Sequence, residues 1–157
     1  MADAMIDDPR VVDILTKAGW SEHRTVSTRA AEAALTRAGF AVWDALSAFL
    51  RGFSGLTVRF MRNGREDAAW FDAERATAWA DAASVRAYEK IVGTTLAPVG
   101  CAYHDHLLVL ASRDGRFFAA YDDLLAHLGD SPTALLRTLL NGKVRALETG
   151  ERPGTEE

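Results

Sequence analysis

The feature that most restricts the fold lies in the second half of the chain. Three apolar runs, over residues 96–103, 107–112 and 116–121, follow one another with only three residues in each gap. No helix fits into such a gap, and parallel strands would need a crossover of about a dozen residues or more. The runs must therefore pair as an antiparallel meander, with Asp105-His106 and Asp114-Gly115 at its turns. Upstream, Leu56, Val58 and Phe60 alternate with Thr57 and Arg59, the period of a half-buried strand. Asn63-Gly64, where both positions tolerate positive φ, turns that strand into a return strand over 65–71. The expectation is a central antiparallel sheet of about five strands.

Helical patterns surround these strands. Asp8 caps a first helix with Pro9 at its first position, Val11, Val12, Ile14 and Leu15 on its apolar face, and Gly19 at its end. A second runs from Ser27 or Thr28 to Ala38, with Ser27 as cap and Gly39 as stop. A third covers 43–53, where Val42, Leu46, Phe49, Leu50 and Phe53 recur at helical spacing. An alanine-rich helix over 73–92 is capped by Asp72, anchored by Trp79, Val85 and Tyr88, and followed by Gly93. Ser131 and Pro132 open a last helix that ends near Leu140. Helices first, then strands with a helix inserted, define an α+β class. The pattern predicts a single domain over 1–147 and a flexible polar tail over 148–157, with Gly150, Pro153 and Gly154. Trp20, Trp43, Trp70, Trp79 and Phe117 are expected in or beside the core.

Composition narrows the chemistry. A chain of 157 residues, 48% hydrophobic, can bury one core without covalent staples. The lone Cys101 excludes an internal disulfide and any zinc site built on several thiolates. The acidic start, with Asp3, Asp7 and Asp8, lacks the basic residues and apolar run of a signal peptide, and no apolar stretch has the length of a membrane span. A cytoplasmic protein is expected. A net charge of −4 argues against general nucleic-acid binding and suits a basic protein partner.

No motif points to catalysis. His104-Asp105-His106 is the nearest approach to a metal site, but a turn between the two histidines defeats a shared strand face. No third ligand follows by spacing, since His23 and His127 are far away in sequence. The two read as solvated turn histidines, and a metal-dependent hydrolase built on them is the weaker alternative. Ser54, in Gly52-Phe53-Ser54-Gly55, lies between helix and strand, the reverse of a nucleophile elbow, and reads as a turn residue. Cys101, inside an apolar strand, reads as a core residue. Asp122-Asp123 reads as a turn or cap rather than an acid–base pair, and no glycine-lysine phosphate loop occurs. Neither a cofactor nor an enzymatic activity is expected.

Several motifs in a fixed order carry a resemblance. Ala18-Gly19-Trp20 followed by Arg24 resembles a "GWxxxR" opening. Phe49-Leu50-Arg51-Gly52-Phe53-Ser54-Gly55-Leu56 is similar to "FLxxFGGL". Tyr88-Glu89, Gly93, Leu96 and Pro98-Val99-Gly100 resemble "YexxlGxxLxPvG". Residues 107–118 are similar to "LLxxxDGRxY". Leu128-Gly129-Asp130-Ser131, Ala134-Leu135 and Leu139-Leu140-Asn141-Gly142 resemble "LGdsxxeALxxLlxG". Together they resemble the third immunity-protein family of the SUKH superfamily over residues 14–142. Two departures stand out: Ser54 takes a glycine's place, and Ser21-Glu22-His23 lacks a proline.

The resemblance implies a SUKH-like domain that works by binding. Such proteins neutralise toxins of bacterial polymorphic or contact-dependent systems, often nucleases or deaminases. The implied partner is a cognate toxin protein, met by a protein taken as a monomer. The alternative is a regulatory scaffold that binds another protein, with no toxin. Under the toxin reading, Glu66, Asp67, Asp122 and Asp123 are the acidic candidates for partner binding. Trp70 and Tyr121 are the aromatic anchors, on the expectation that hairpin and strand ends are exposed. In that reading Trp20 packs the first helix on the sheet, Arg24 pairs with a carboxylate or caps a carbonyl, and Pro98 sits near a strand start or edge.

Overall fold

A computed structural model describes residues 6–121, 124–144 and 146–147. Three helices come first: α1 (Pro9–Lys17), α2 (Arg29–Arg37) and α3 (Asp44–Phe53). The hairpin β1 (Leu56–Arg62) and β2 (Arg65–Phe71) leads into α4 (Ala73–Ala76) and α5 (Ala82–Val92). Then come β3 (Leu96–Ala102), β4 (Leu107–Ser112), β5 (Phe117–Tyr121), β6 (Leu124–Gly129) and α6 (Pro132–Asn141). The strands form one antiparallel sheet in the order β1-β2-β3-β4-β5-β6, so the α+β expectation holds.

Three caps follow the sequence signals, whereas at α2 the cap position is Thr28 rather than the expected Ser27, and its side chain makes no cap bond. Asp8 accepts from Arg10 N at 2.9 Å, Asp72 from Arg75 N at 3.1 Å, and Ser131 from Ala134 N at 3.1 Å. Asn63 (φ 54) and Gly64 (φ 76) make the tight hairpin turn. Strand β1 alternates buried and exposed residues, whereas β3 is buried along its whole length. A strand covered on one face alternates, and a strand covered on both does not. On one face, Leu56, Val58, Phe60, Ala69 and Phe71 meet α1, α3 and α6. The Phe49 ring of α3 lies 5.9 Å from that of Phe71 and 5.1 Å from that of Phe117. On the other face, Trp70, Cys101 and Ala76 form a smaller buried cluster beneath α4.

Three local expectations need correction. The sheet has a sixth strand, β6, which pairs with β5 from Tyr121↔Leu124 to Phe117↔Gly129. Its short apolar run, Leu124-Leu125-Ala126, does not reveal its period without that partner. The helix expected over 73–92 is two helices, because Asp81 starts α5 afresh by accepting from Ser84 N at 3.1 Å and Ser84 Oγ at 2.7 Å. Trp79 falls in the link between them and is 51% exposed, not a core anchor. Pro98 lies near the start of β3, as expected, at a register shift between Pro98 and Gly100, although the strand itself is internal to the sheet. The pairing of β2 with β3 covers only Gly100 to Ala102, so the missing Pro98 N–H removes no bond from that ladder.

The motif residues prove to be joints. Arg24 donates to the carbonyls of Gly52 at 2.8 Å and Ser54 at 2.7 Å, satisfying acceptors at the end of α3. Ser54 has φ −59, so its position does not demand glycine. Glu89 accepts from Leu96 N at 2.9 Å, tying α5 to the start of β3. Arg116 grips Asp114 with contacts of 2.6 to 3.0 Å and donates to the Val92 carbonyl at 3.0 Å. That guanidinium holds the Asp114 carboxyl below its usual range. At Gly129 a Cβ would stand 2.6 Å from Ala134 Cβ, which is how α6 closes on β6.

Candidate functional site

Asp105 and His106 arrive at the sheet's second face by way of an unusual turn. Tyr103, His104 and Asp105 adopt left-handed φ values of 57°, 56° and 68° in succession. For residues other than glycine that conformation costs roughly 1–2 kcal/mol each. Side chains on either side hold it in place. The Tyr103 hydroxyl donates to the Leu139 carbonyl at 2.9 Å, and Asp105 Oδ1 accepts from Trp70 Nε1 at 2.6 Å. Burial pushes the Tyr103 phenol up to about 12, so it stays a neutral donor.

Beside this turn lies a partly buried ion pair. Asp67 Oδ2 accepts from Arg62 Nε at 2.9 Å and stands 2.9 Å from Nη2 in an ion pair, while Asp67 Oδ1 accepts from Ala68 N at 2.8 Å. The Arg62 guanidinium stacks 3.7 Å from the centre of the Tyr103 ring. His104 Nε2 stands 3.8 Å from Asp67 Oδ1 on the solvent side.

The turn forms one end of a cleft of about 250 Å³ between α5 and the sheet. Cys101, Leu108 and Ala120 line its strand side. Trp79, from the α4–α5 link, and Tyr121, at the end of β5, are among its walls, and Asp81, Asp105 and His106 bring its polar atoms. A larger hollow of about 360 Å³ lies near Trp20, Trp43 and Phe49. Its Arg24, Asp114 and Arg116 are already committed to the bonds described above.

The six residues expected to meet a partner divide sharply. Glu66 is exposed opposite Met61 on the open face of the hairpin, and Tyr121 is half-buried at the cleft. Asp67 is not exposed: it pairs with Phe60, and the two-residue period of the strand turns it onto the core face, 5% exposed. Trp70 is likewise 7% exposed, with the Arg75 guanidinium 3.9 Å from its ring centre. Asp122 and Asp123 lie outside the described residues, as does the tail expected over 148–157.

The candidates for chemistry are also placed. His104 and His106 leave the turn differently, one toward Asp67 and one into the cleft. His127 bonds Asp130 at 2.7 Å on β6, and His23 is exposed near Trp20. Among the described residues no group of three or more His, Cys, Asp or Glu side chains could hold a metal. Ser54 Oγ is buried and has no hydrogen-bond partner among the described residues. Burial pushes the Cys101 thiol up to about 12, far from a reactive thiolate. Cys101 should therefore resist an aromatic disulfide reagent at pH 8 and react fully once guanidinium unfolds the chain. Rapid labelling of the folded protein would contradict this assignment.

Two contributors escaped the sequence reading. Trp79, expected in or beside the core, stands exposed at the rim, and Asp105, a turn residue, also holds the Trp70 indole. The Asp81-x-x-Ser84 capping pattern was a legible sign of the break near Trp79. No helix among the described residues is long and apolar enough to cross a membrane.

A family model described as SUKH-3 immunity protein matches residues 8–142. No curated protein and no solved structure gives a match.

Proposed function

We propose that this chain, which belongs to the SUKH-3 immunity protein family, protects the cell that makes it by binding one cognate toxin and blocking it stoichiometrically. The observation that carries this reading is the family match, which runs from the start of α1 through the end of α6. The work is done by occlusion in the bacterial cytoplasm and needs neither cofactor nor metal. A nuclease or deaminase toxin has a basic substrate-binding face, and a chain of net charge −4 is suited to meet it.

The contact surface we assign takes in Glu66 on the hairpin and Tyr121 at the end of β5, together with Asp122 and Asp123, which follow Tyr121 in the sequence. Asp67 and Trp70 serve it from beneath, by holding the hairpin and the β3–β4 turn in place. The test pairs this protein with the product of the adjacent upstream gene, in co-expression and in purified form. A one-to-one complex and restored growth are expected. A folded protein that neither binds nor rescues would overturn the reading in favour of a scaffold for another protein. Replacing Glu66, Asp122 and Asp123 together with Ala should slow association most at low salt; an unchanged on-rate would remove charge steering from the account.

A further inference from the structure

The protein seats two of its own guanidinium groups on aromatic rings with carboxylates at hand. Arg62 lies 3.7 Å from the Tyr103 ring centre and bonds Asp67. Arg75 lies 3.9 Å from the Trp70 ring centre, and the Trp70 indole is held by Asp105. The cleft beside α5 repeats these ingredients, with the Trp79 and Tyr121 rings and the Asp81 and Asp105 carboxylates, but among the described residues no Lys or Arg lines it.

We propose that this cleft is the seat of an arginine side chain presented by the toxin. The proposal rests on the immunity reading and names one contact that the toxin would make. Size agrees: at about 250 Å³ the cleft suits one long side chain, whereas pockets for drug-sized molecules run to roughly 300–1,000 Å³. Charge agrees as well. Asp105 spends Oδ1 on Trp70 Nε1, and that bond leaves Oδ2 out. Asp81 spends its Oδ2 on Ser84. Arginine fits better than lysine because a flat guanidinium stacks on an indole and donates to a carboxylate at its edge. Trp79, 51% exposed at the rim, is the ring an incoming guanidinium would meet.

Two experiments together decide it. The first titrates the protein with N-acetyl-arginine amide and follows the Trp79 indole and the Asp105 and His106 amides by NMR. Saturable shifts with millimolar affinity are expected, absent with the isosteric uncharged citrulline amide and lost in Asp105→Asn. Asparagine keeps an acceptor for Trp70 and tolerates the left-handed backbone, so this variant should fold. Equal shifts from arginine and citrulline amides, or none from either, would overturn the seat. The second measures toxin affinity for Trp79→Ala and Asp105→Asn, each expected to weaken binding tenfold or more. Binding at full strength in both variants would overturn the cleft while leaving the immunity reading intact. Saturable arginine binding with no affinity for the toxin would instead overturn the role assigned to the seat and count against the immunity reading itself.

Discussion

Gly100→Ala is expected to cost about 4 kcal/mol or more, or to prevent folding outright, although the change adds a single methyl group to the chain. The Cβ would stand 2.1 Å from the Trp70 carbonyl oxygen and 3.1 Å from Phe71 Cα. Both are backbone atoms of the neighbouring strand, so no side chain can swing away. The strands would have to part in the short ladder Ala69↔Ala102, Trp70↔Cys101 and Phe71↔Gly100, which the bonds from Asp72 N to the Val99 carbonyl and from Tyr103 N to the Ala68 carbonyl flank. Typical domains are stable by only about 5–15 kcal/mol, so a loss of this size removes a large share. The natural control is Gly52→Ala. That glycine is also in a motif, but it sits within α3 and a Cβ there meets nothing within 4 Å. It should leave stability unchanged or raise it by about 0.5–1 kcal/mol. Urea unfolding of the two variants checks both signs, and a Gly100→Ala protein of ordinary stability would show that the two strands are not in this close contact.

Asp67→Ala is the second large effect, expected at about 2–4 kcal/mol of lost stability. The Asp67 side chain is 3% exposed, and its removal strands the Arg62 guanidinium, itself 25% exposed, on the Tyr103 ring. Fully buried pairs lose about 3–5 kcal/mol when one partner is deleted, and the partial exposure of Arg62 brings the figure down. Asp67→Asn keeps an oxygen for Arg62 and should lose roughly half as much. In the Arg62→Ala background the Asp67→Ala cost should shrink, because the two side chains act as a unit. These variants also separate two roles for Asp67. Held behind the surface, it should change toxin affinity only in step with stability. A drop in affinity with stability intact would make it a direct contact after all.

Most of the fold was legible because its signals are local. Asp8-Pro9 and Ser131-Pro132 open helices wherever the rest of the chain goes, since a cap needs only its own first turn. Asn63-Gly64 turns a hairpin for the same reason. Strand β6 was missed because an apolar run of that length shows its period only once β5 lies alongside. The candidate site was less legible. Glu66 and Asp67 are neighbours in one strand, both acidic, and nothing local to either says which faces out. The register Met61↔Glu66 and Phe60↔Asp67 decides it. Trp79 illustrates the converse: its aromatic character argued for the core, and a helix break five residues long put it at a rim.

Taken by itself, the sequence determined the class of fold, the order of nearly all its elements, the caps at Asp8, Asp72 and Ser131, and the family through motifs that turn out to be joints. Those are properties of short stretches, set by backbone sterics and by bonds within a few residues. Only the tertiary structure decided which acid is buried, which tryptophan is exposed, and that Trp79, Asp105 and Tyr121 share one cleft. Exposure and adjacency depend on which distant segments cover a residue, and no local rule carries that information.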